Sequence, residues 1–258
     1  MAHAKRSLPR VSLAALLLAL LVAPASADTL DILIAAYPQS LTGRDGDTLI
    51  FRNGLRMAAR ASDASASFDE LIEHAQIKDM LRIAYPAFAA IAAPNSDPGR
   101  FRNKEFFDAL YGDCRKGEVG KNLVAVAWLP RSANENIKFT NRNGAADALR
   151  AVSAEIDALP SAIRAAALPI AGTYACRGVA DRGQPSMHAY GAAIDLNLAY
   201  SNYWLWDGRG GTFKNHMPRE IVTAFERHGF IWGGRWQHYD TMHFEYRPEL
   251  LAGASGPR

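Results

Sequence analysis

Apolar and polar positions change rhythm several times along the chain. From Asp28 to about Ala59 the runs "TLDILIAAYP" and "DGDTLIFRNGLRM" alternate around Gly and Asp, which predicts a pair of short strands. Residues 60–67, "RASDASAS", read as a loop. "SFDELIEHAQIKDMLRIAYP" then places apolar residues at helical spacing, with Ser67 as N-cap, Glu70 three residues on and Pro86 as the stop. After turn chemistry in "APNSDPGRFR", "NKEFFDALYG" predicts a short helix ended by Gly112, and "KNLVAVAWLP" a strand. "NRNGAADALRAVSAEIDALP" is an amphipathic helix closed near Pro160, and "SAIRAAALPIAGTYACRG" passes from helix to strand as β-branched and aromatic residues replace alanines. "MPREIVTAFERHGF", with Pro218 in the first turn and Gly229 after the last periodic residue, predicts a helix. It feeds "IWGGRWQHYDTMHFEYRPEL", a turn-rich run followed by a strand.

The first 27 residues stand outside this pattern. A basic stretch, "MAHAKRSLPR", precedes the apolar "VSLAALLLALLVAP" and the small-residue end "ASA", the layout of a cleaved signal peptide. A spanning anchor needs roughly 20 apolar residues, so no stable membrane anchor is expected after cleavage. Export to the periplasm or the medium follows as an expectation. Lys5, Arg6 and Arg10 are the signal's only charges, so the chain's 29 basic and 26 acidic residues become 26 and 26 once it is removed. That neutrality removes the reason to expect nucleic acid or an anionic membrane as partner. The 231 residues that remain of 258 suffice for one large domain or a domain with an appendage. Cys114 and Cys176, the only cysteines, form either one disulfide, as an exported chain favours, or two buried thiols.

Five of the seven histidines collect in the last third of the chain, where the chemistry must be sought. His188 and Asp195 lie seven residues apart in "SMHAYGAAIDLN". A helix would put them on one face and a flat strand on opposite faces. Gly191 argues for a third arrangement, in which a loop carrying His188 bends into a strand bearing Asp195. Alone, the pair is weak. "HYDTMHFE" adds His238, Asp240, His243 and Glu245 within eight residues, and a strand over "MHFEY" would set His243 and Glu245 on one face with Asp240 in the turn before it. Zinc hydrolases need three His or Asp/Glu ligands, an open fourth position and a nearby carboxylate as base. His188, Asp195 and His243 meet the first need. Asp240 is the free carboxylate, and Glu245 competes with it. Other polar residues have ordinary readings: Arg100 and Arg102 as salt-bridged surface residues, His74 as structural or solvent-facing, His216 and His228 as electrostatic support at the late helix, His238 as an outer donor or exposed. Trp232, Trp236, Tyr190 and Tyr239 either line a cleft or pack core and rim.

The pattern Ser186-x-His188-x-x-Gly191-x-Ala193-x-Asp195, followed by Asp240-x-x-His243, resembles the zinc D-alanyl-D-alanine carboxypeptidases and L-alanyl-D-glutamate endopeptidases of the VanY-type, hedgehog-like fold. The resemblance is firm over roughly residues 170–250, and "DPGRFRNKEFFDALYG" also looks like text of exported bacterial members. It implies zinc held by His188, Asp195 and His243, Asp240 as catalytic base, and Arg177 and Ser186 as substrate-binding residues, with Arg182 a weaker match than Arg177. The base is Asp where some members use Glu. The fold so implied is α+β, a small antiparallel sheet carrying the zinc site with helices flanking it. The domain plan is a signal over 1–27, strands and a helix of unassigned role over 28–90, and a peptidase domain over 91–258 that forms one unit with 28–90. The substrate implied is a peptidoglycan stem peptide. D,D-carboxypeptidase action leads, endopeptidase or D,D-dipeptidase action is the alternative, and a non-catalytic zinc-binding module is the rival of another class.

Overall fold

Asp28 caps the first helix, its side chain accepting from Leu30 N–H at 2.8 Å, and α1 spans Thr29–Ala36. The computed structural model describes residues 28–178, 184–208, 212–252 and 254; the expected signal over residues 1–27 and Arg182 lie outside the described residues. α1 corrects the strand expected over "TLDILIAAYP". Its apolar positions fit both periods, since Leu30, Ile32 and Ile34 alternate. The N-cap and burial of Leu30, Leu33 and Tyr37 on one face decide for the helix. An antiparallel meander follows: β1 (Leu41–Asp45), β2 (Thr48–Phe51) and β3 (Arg56–Ala58).

α2 (Phe68–His74) starts as the sequence predicts, with Ser67 and Glu70 in a reciprocal capping box. It ends eleven residues before Pro86 at Ala75, and a separate 3₁₀ turn covers Ile77–Leu81. The cause is Asp79, buried and accepting from Gln76 N–H at 2.9 Å and Ser62 N–H at 3.1 Å, which starts a new turn instead of continuing the old one. α3 (Lys104–Tyr111) runs from the Asn103 cap to Gly112, whose φ of +96° ends it.

β4 (Leu123–Trp128) and β5 (Glu135–Thr140) form an antiparallel hairpin, and α4 (Ala145–Asp157) lays Leu149, Val152 and Ile156 on it. α5 (Ser161–Arg164) leads into the segment expected to be a strand near residue 175. That segment makes only isolated bridges, Gly172 with Asp195 and Gly178 with Pro185. Its backbone groups serve His188 instead of a ladder: Ala175 N–H donates to His188 O at 3.2 Å, and Thr173 O faces the His188 ring.

The last third holds β6 (Ala193–Asp195), α6 (Arg219–Arg227), β7 (Phe230–Trp232) and β8 (His243–Tyr246). The strands form an antiparallel sheet in the order β6–β8–β7. α6 covers one side with Ile221, Val222 and Phe225, and the Phe225 and Phe244 rings stack at 4.0 Å. Such a stack contributes about 0.5–1.5 kcal/mol beyond burial. A second core joins α1, β1, β2 and α3 to Met187, Tyr190, Ala192 and Ala193. The N-terminal elements therefore share a core with the turn that carries His188. Cys114, just past α3, is disulfide-bonded to Cys176. The architecture is α+β with small antiparallel sheets. Among the described residues no helix is long and apolar enough to cross a membrane.

Candidate metal centre

Asp195 ends β6, His243 begins β8, and the two are direct cross-strand partners. Opposed residues of an antiparallel pair project to the same face, so register alone brings these side chains together. Their atoms stand 3.0 Å apart, His243 Nδ1 to Asp195 Oδ1. His188 comes from a 3₁₀ turn, Met187–Tyr190, capped at its start by Ser186. Gly191 closes that turn at φ +65° and redirects the chain into β6. His188 Nε2 thereby reaches Asp195 Oδ1 at 3.1 Å and His243 Nδ1 at 3.2 Å. Among the described residues this is the one group of three such donors close enough to share an ion.

The outer nitrogens decide what the inner ones can do. His188 Nδ1 donates to Thr173 O, and His243 Nε2 donates to Glu245 Oε2 at 2.9 Å. Each ring thus turns a lone pair toward Asp195, the tautomer arrangement of metal-binding histidines. Donors 2.0–2.1 Å from a tetrahedral zinc ion stand about 3.3 Å from one another, close to the spacing observed. Without a cation, protons must fill the gap. Burial would lower the His243 pKa, yet hydrogen bonds to Asp195 and Glu245 outweigh it and pull it up to about 10. Burial would raise Asp195, and the two imidazoles instead hold it below the usual carboxylate range. A divalent cation can replace those protons, so the residues fit zinc.

Asp240 lies in the turn before β8. Its backbone is fixed, with N–H donating to Gly233 O at 3.0 Å and O accepting from His243 N–H at 3.2 Å. Its side chain is not: Oδ1 is buried with no partner. Burial pushes this carboxyl up to about 6, helped by Asp195 and opposed by His243. Glu245 is wholly buried, and its oxygens accept from Arg102 Nη2 at 2.6 Å, Arg247 Nη1 at 3.0 Å and His243. Burial would raise Glu245 too, but Arg102 foremost holds it below the carboxylate range.

These groups open on a cleft of about 610 Å³. Asp240, His188, Asp195 and His243 line it, as do Ser186 and Arg177. Ser186 Oγ accepts from His188 N–H at 3.4 Å, and Arg177 is exposed at the edge. Glu245 does not line the cleft. Arg102 is no surface residue, contrary to expectation: it is buried against Glu245 because the strand register leaves that carboxylate in need of a cation. Arg100 also differs, lying over the Trp236 ring at 4.9 Å inside the cleft instead of in a surface salt bridge. Of the aromatics, Trp236 lines the cleft, while Trp232 is core with its indole N–H on Thr241 O. His238 lines the cleft without joining the three donors and is paired with Asp97 at 2.9 Å. His228 pairs with Glu155 at 3.0 Å at the end of α6.

Residues 180–246 match the model of a family described as D-alanyl-D-alanine carboxypeptidase. The match supports a peptidase. It takes in His188, Asp195, Asp240 and His243 and leaves out Arg100, Arg102 and Arg177. No curated protein matches the chain. Sequence reasoning missed Phe68, Tyr203, Trp204 and Trp206 as cleft residues. The signal was present in "YSNYWLWDG", whose aromatics have no strand or helix period to bury them. The strap is held by Trp204 N–H on Tyr239 O at 2.9 Å and Thr241 N–H on Asn202 O at 2.9 Å.

Proposed function

We propose that the chain is a zinc-dependent peptidase that hydrolyses peptidoglycan stem peptides, as a D,D-carboxypeptidase built on a hedgehog-like sheet and exported by its N-terminal signal. One observation carries the reading. Two imidazole nitrogens and a carboxylate oxygen converge beside a buried carboxylate that has a free oxygen, all on one cleft. A structural zinc site has no use for such a carboxylate, which favours catalysis over a binding module. Zinc held by His188, Asp195 and His243 supplies Lewis acidity, enough to ionise water near neutral pH and to polarise a carbonyl.

Asp240 is the base in this reading, because its unpartnered Oδ1 is available to take a proton from the attacking water. The same oxygen returns the proton to the leaving amine. Glu245 is committed to two arginines and His243, so its part is to hold that ring. The arginines bordering the cleft offer bidentate recognition of a substrate carboxylate. The Cys114–Cys176 disulfide favours an oxidising compartment, in keeping with export.

Metal analysis of the purified protein combined with muropeptide digestion tests the proposal. Wild type should bind one zinc ion and release terminal D-alanine. Asp240→Asn should keep zinc while kcat falls by about 10²–10⁴-fold. His188→Ala should lose both. A zinc-free wild type that releases nothing from any muropeptide would overturn the reading, and release of a dipeptide or cleavage next to glutamate would move it to the other cuts.

A further inference from the structure

Four consecutive residues in the loop before α3 are each clamped to the site's own segment. Ser96 O accepts from Gln237 N–H at 2.7 Å. Asp97, almost fully buried, meets His238 twice, at its backbone N–H at 3.1 Å and its Nδ1 at 2.9 Å. Pro98 O accepts from the Trp236 indole at 2.8 Å, and Gly99 O from Arg247 Nη1 at 2.8 Å. Gly99 sits at φ +80°, and a Cβ there would fall 2.6 Å from Leu250 Cδ1 and 2.8 Å from Ile231 Cδ1. The loop is therefore fixed in one position, and what it presents to the cleft is Arg100.

The Arg100 guanidinium rests on Trp236 at 4.9 Å. No carboxylate pairs with it among the described residues, whereas its neighbour Arg102 is tied to Glu245. The charge is near enough to be felt at Asp240. Trp236 also lies 5.5 Å from the His243 ring, so the guanidinium stands within about 10 Å of that imidazole. Extended peptide advances about 3.3 Å per residue, so a carboxylate one residue beyond a bond held at the metal centre falls within this span. A planar fork stacked on an aromatic ring, preorganised and unpaired, is built to take a carboxylate in two hydrogen bonds. Arg177, by contrast, is exposed and borders the cleft from its edge.

We propose that Arg100, held by the Ser96–Gly99 clamp and stacked on Trp236, is the residue that binds the free C-terminal carboxylate of the peptide substrate and so selects the scissile bond. This rests on the peptidase reading and deepens it, since it makes the terminal anion part of substrate choice.

The test compares a peptide ending in D-alanyl-D-alanine with its C-terminal amide, on zinc-loaded wild type, Arg100→Gln, Arg100→Lys and Arg177→Gln. Turnover is measured first, and binding of both peptides to each protein in the Asp240→Asn background is then followed by calorimetry. Wild type should prefer the acid by about 10–100-fold, the worth of a charged hydrogen-bonded pair. Arg100→Gln should erase that preference through KM and Kd and leave the zinc content unchanged, and Arg100→Lys should regain part of the preference. Arg177→Gln should keep the preference. An Arg100→Gln protein that still discriminates, or an Arg177→Gln protein that does not, overturns the assignment. Arg100-dependent binding of the acid without turnover would sink the peptidase reading and keep the anchor; failure to bind either peptide would sink both.

Discussion

At the residue scale, the site depends on a run of buried charges behind the three converging donors. His243 is held by Glu245, Glu245 by Arg102 and Arg247, and Arg247 by Glu249 at 2.5 Å. Tyr37 OH closes the run by donating to Glu249 at 2.5 Å. A carboxylate behind a metal-bound histidine fixes its tautomer and aim, and losing such a partner typically costs 10–100-fold in metal affinity. Glu245→Gln should therefore weaken zinc binding by about that factor. Chelator competition on folded protein measures it, and an unchanged affinity would show that β8 alone orients the ring. The sequence could place Glu245 on the face of His243 but left its role open against Asp240. The difference lies in partners, and those arrive from Arg102 and Arg247, one of them 143 positions away.

Among the elements, what was legible is what carries its own signal. The capping box of α2, the Asn103 cap and Gly112 stop of α3, the stripe of α4 and the β8 strand all follow from local pattern. α1 was misread because two periods fit eight residues, and β5 was not anticipated because "ENIKFT" gains its meaning only from pairing with β4. Gly191 was read as a bend from sequence, and its φ of +65° bears that out. A Cβ there would also stand 2.5 Å from Leu123 Cδ2. Gly191→Ala should thus destabilise the fold by about 1–3 kcal/mol through left-handed strain and crowding. Because Gly191 sets His188 against Asp195, the same change should weaken zinc binding, whereas a strain-only role would lower the denaturant midpoint and leave zinc affinity alone.

For the whole molecule, the site is an assembly of distant chain, which is why its support could not be read from any one stretch. The matched segment 180–246 contains the donors and Glu245, but the rest of their backing comes from outside it. Tyr37 bonds to Glu249 across 212 positions, and Thr173, which orients His188, sits three residues before the half-cystine Cys176. The Cys114–Cys176 bond spans 62 positions and ties the end of α3 to that orienting segment. In the chain-entropy account a loop of this length contributes about 4 kcal/mol. At roughly 2–4 °C per kcal/mol for a chain of this size, a Cys114→Ser/Cys176→Ser variant should melt about 8–16 °C below wild type. Zinc affinity should fall with it, because Thr173 O would lose the tether that keeps it against His188 Nδ1. Calorimetric scans of the zinc-loaded proteins, with chelator titration at a temperature where both are folded, separate the two effects. Coincident melting curves would remove the stabilising role. A lower melting temperature with unchanged zinc affinity would show that the 172–178 segment is held by its bridges to Asp195 and Pro185 without the covalent link.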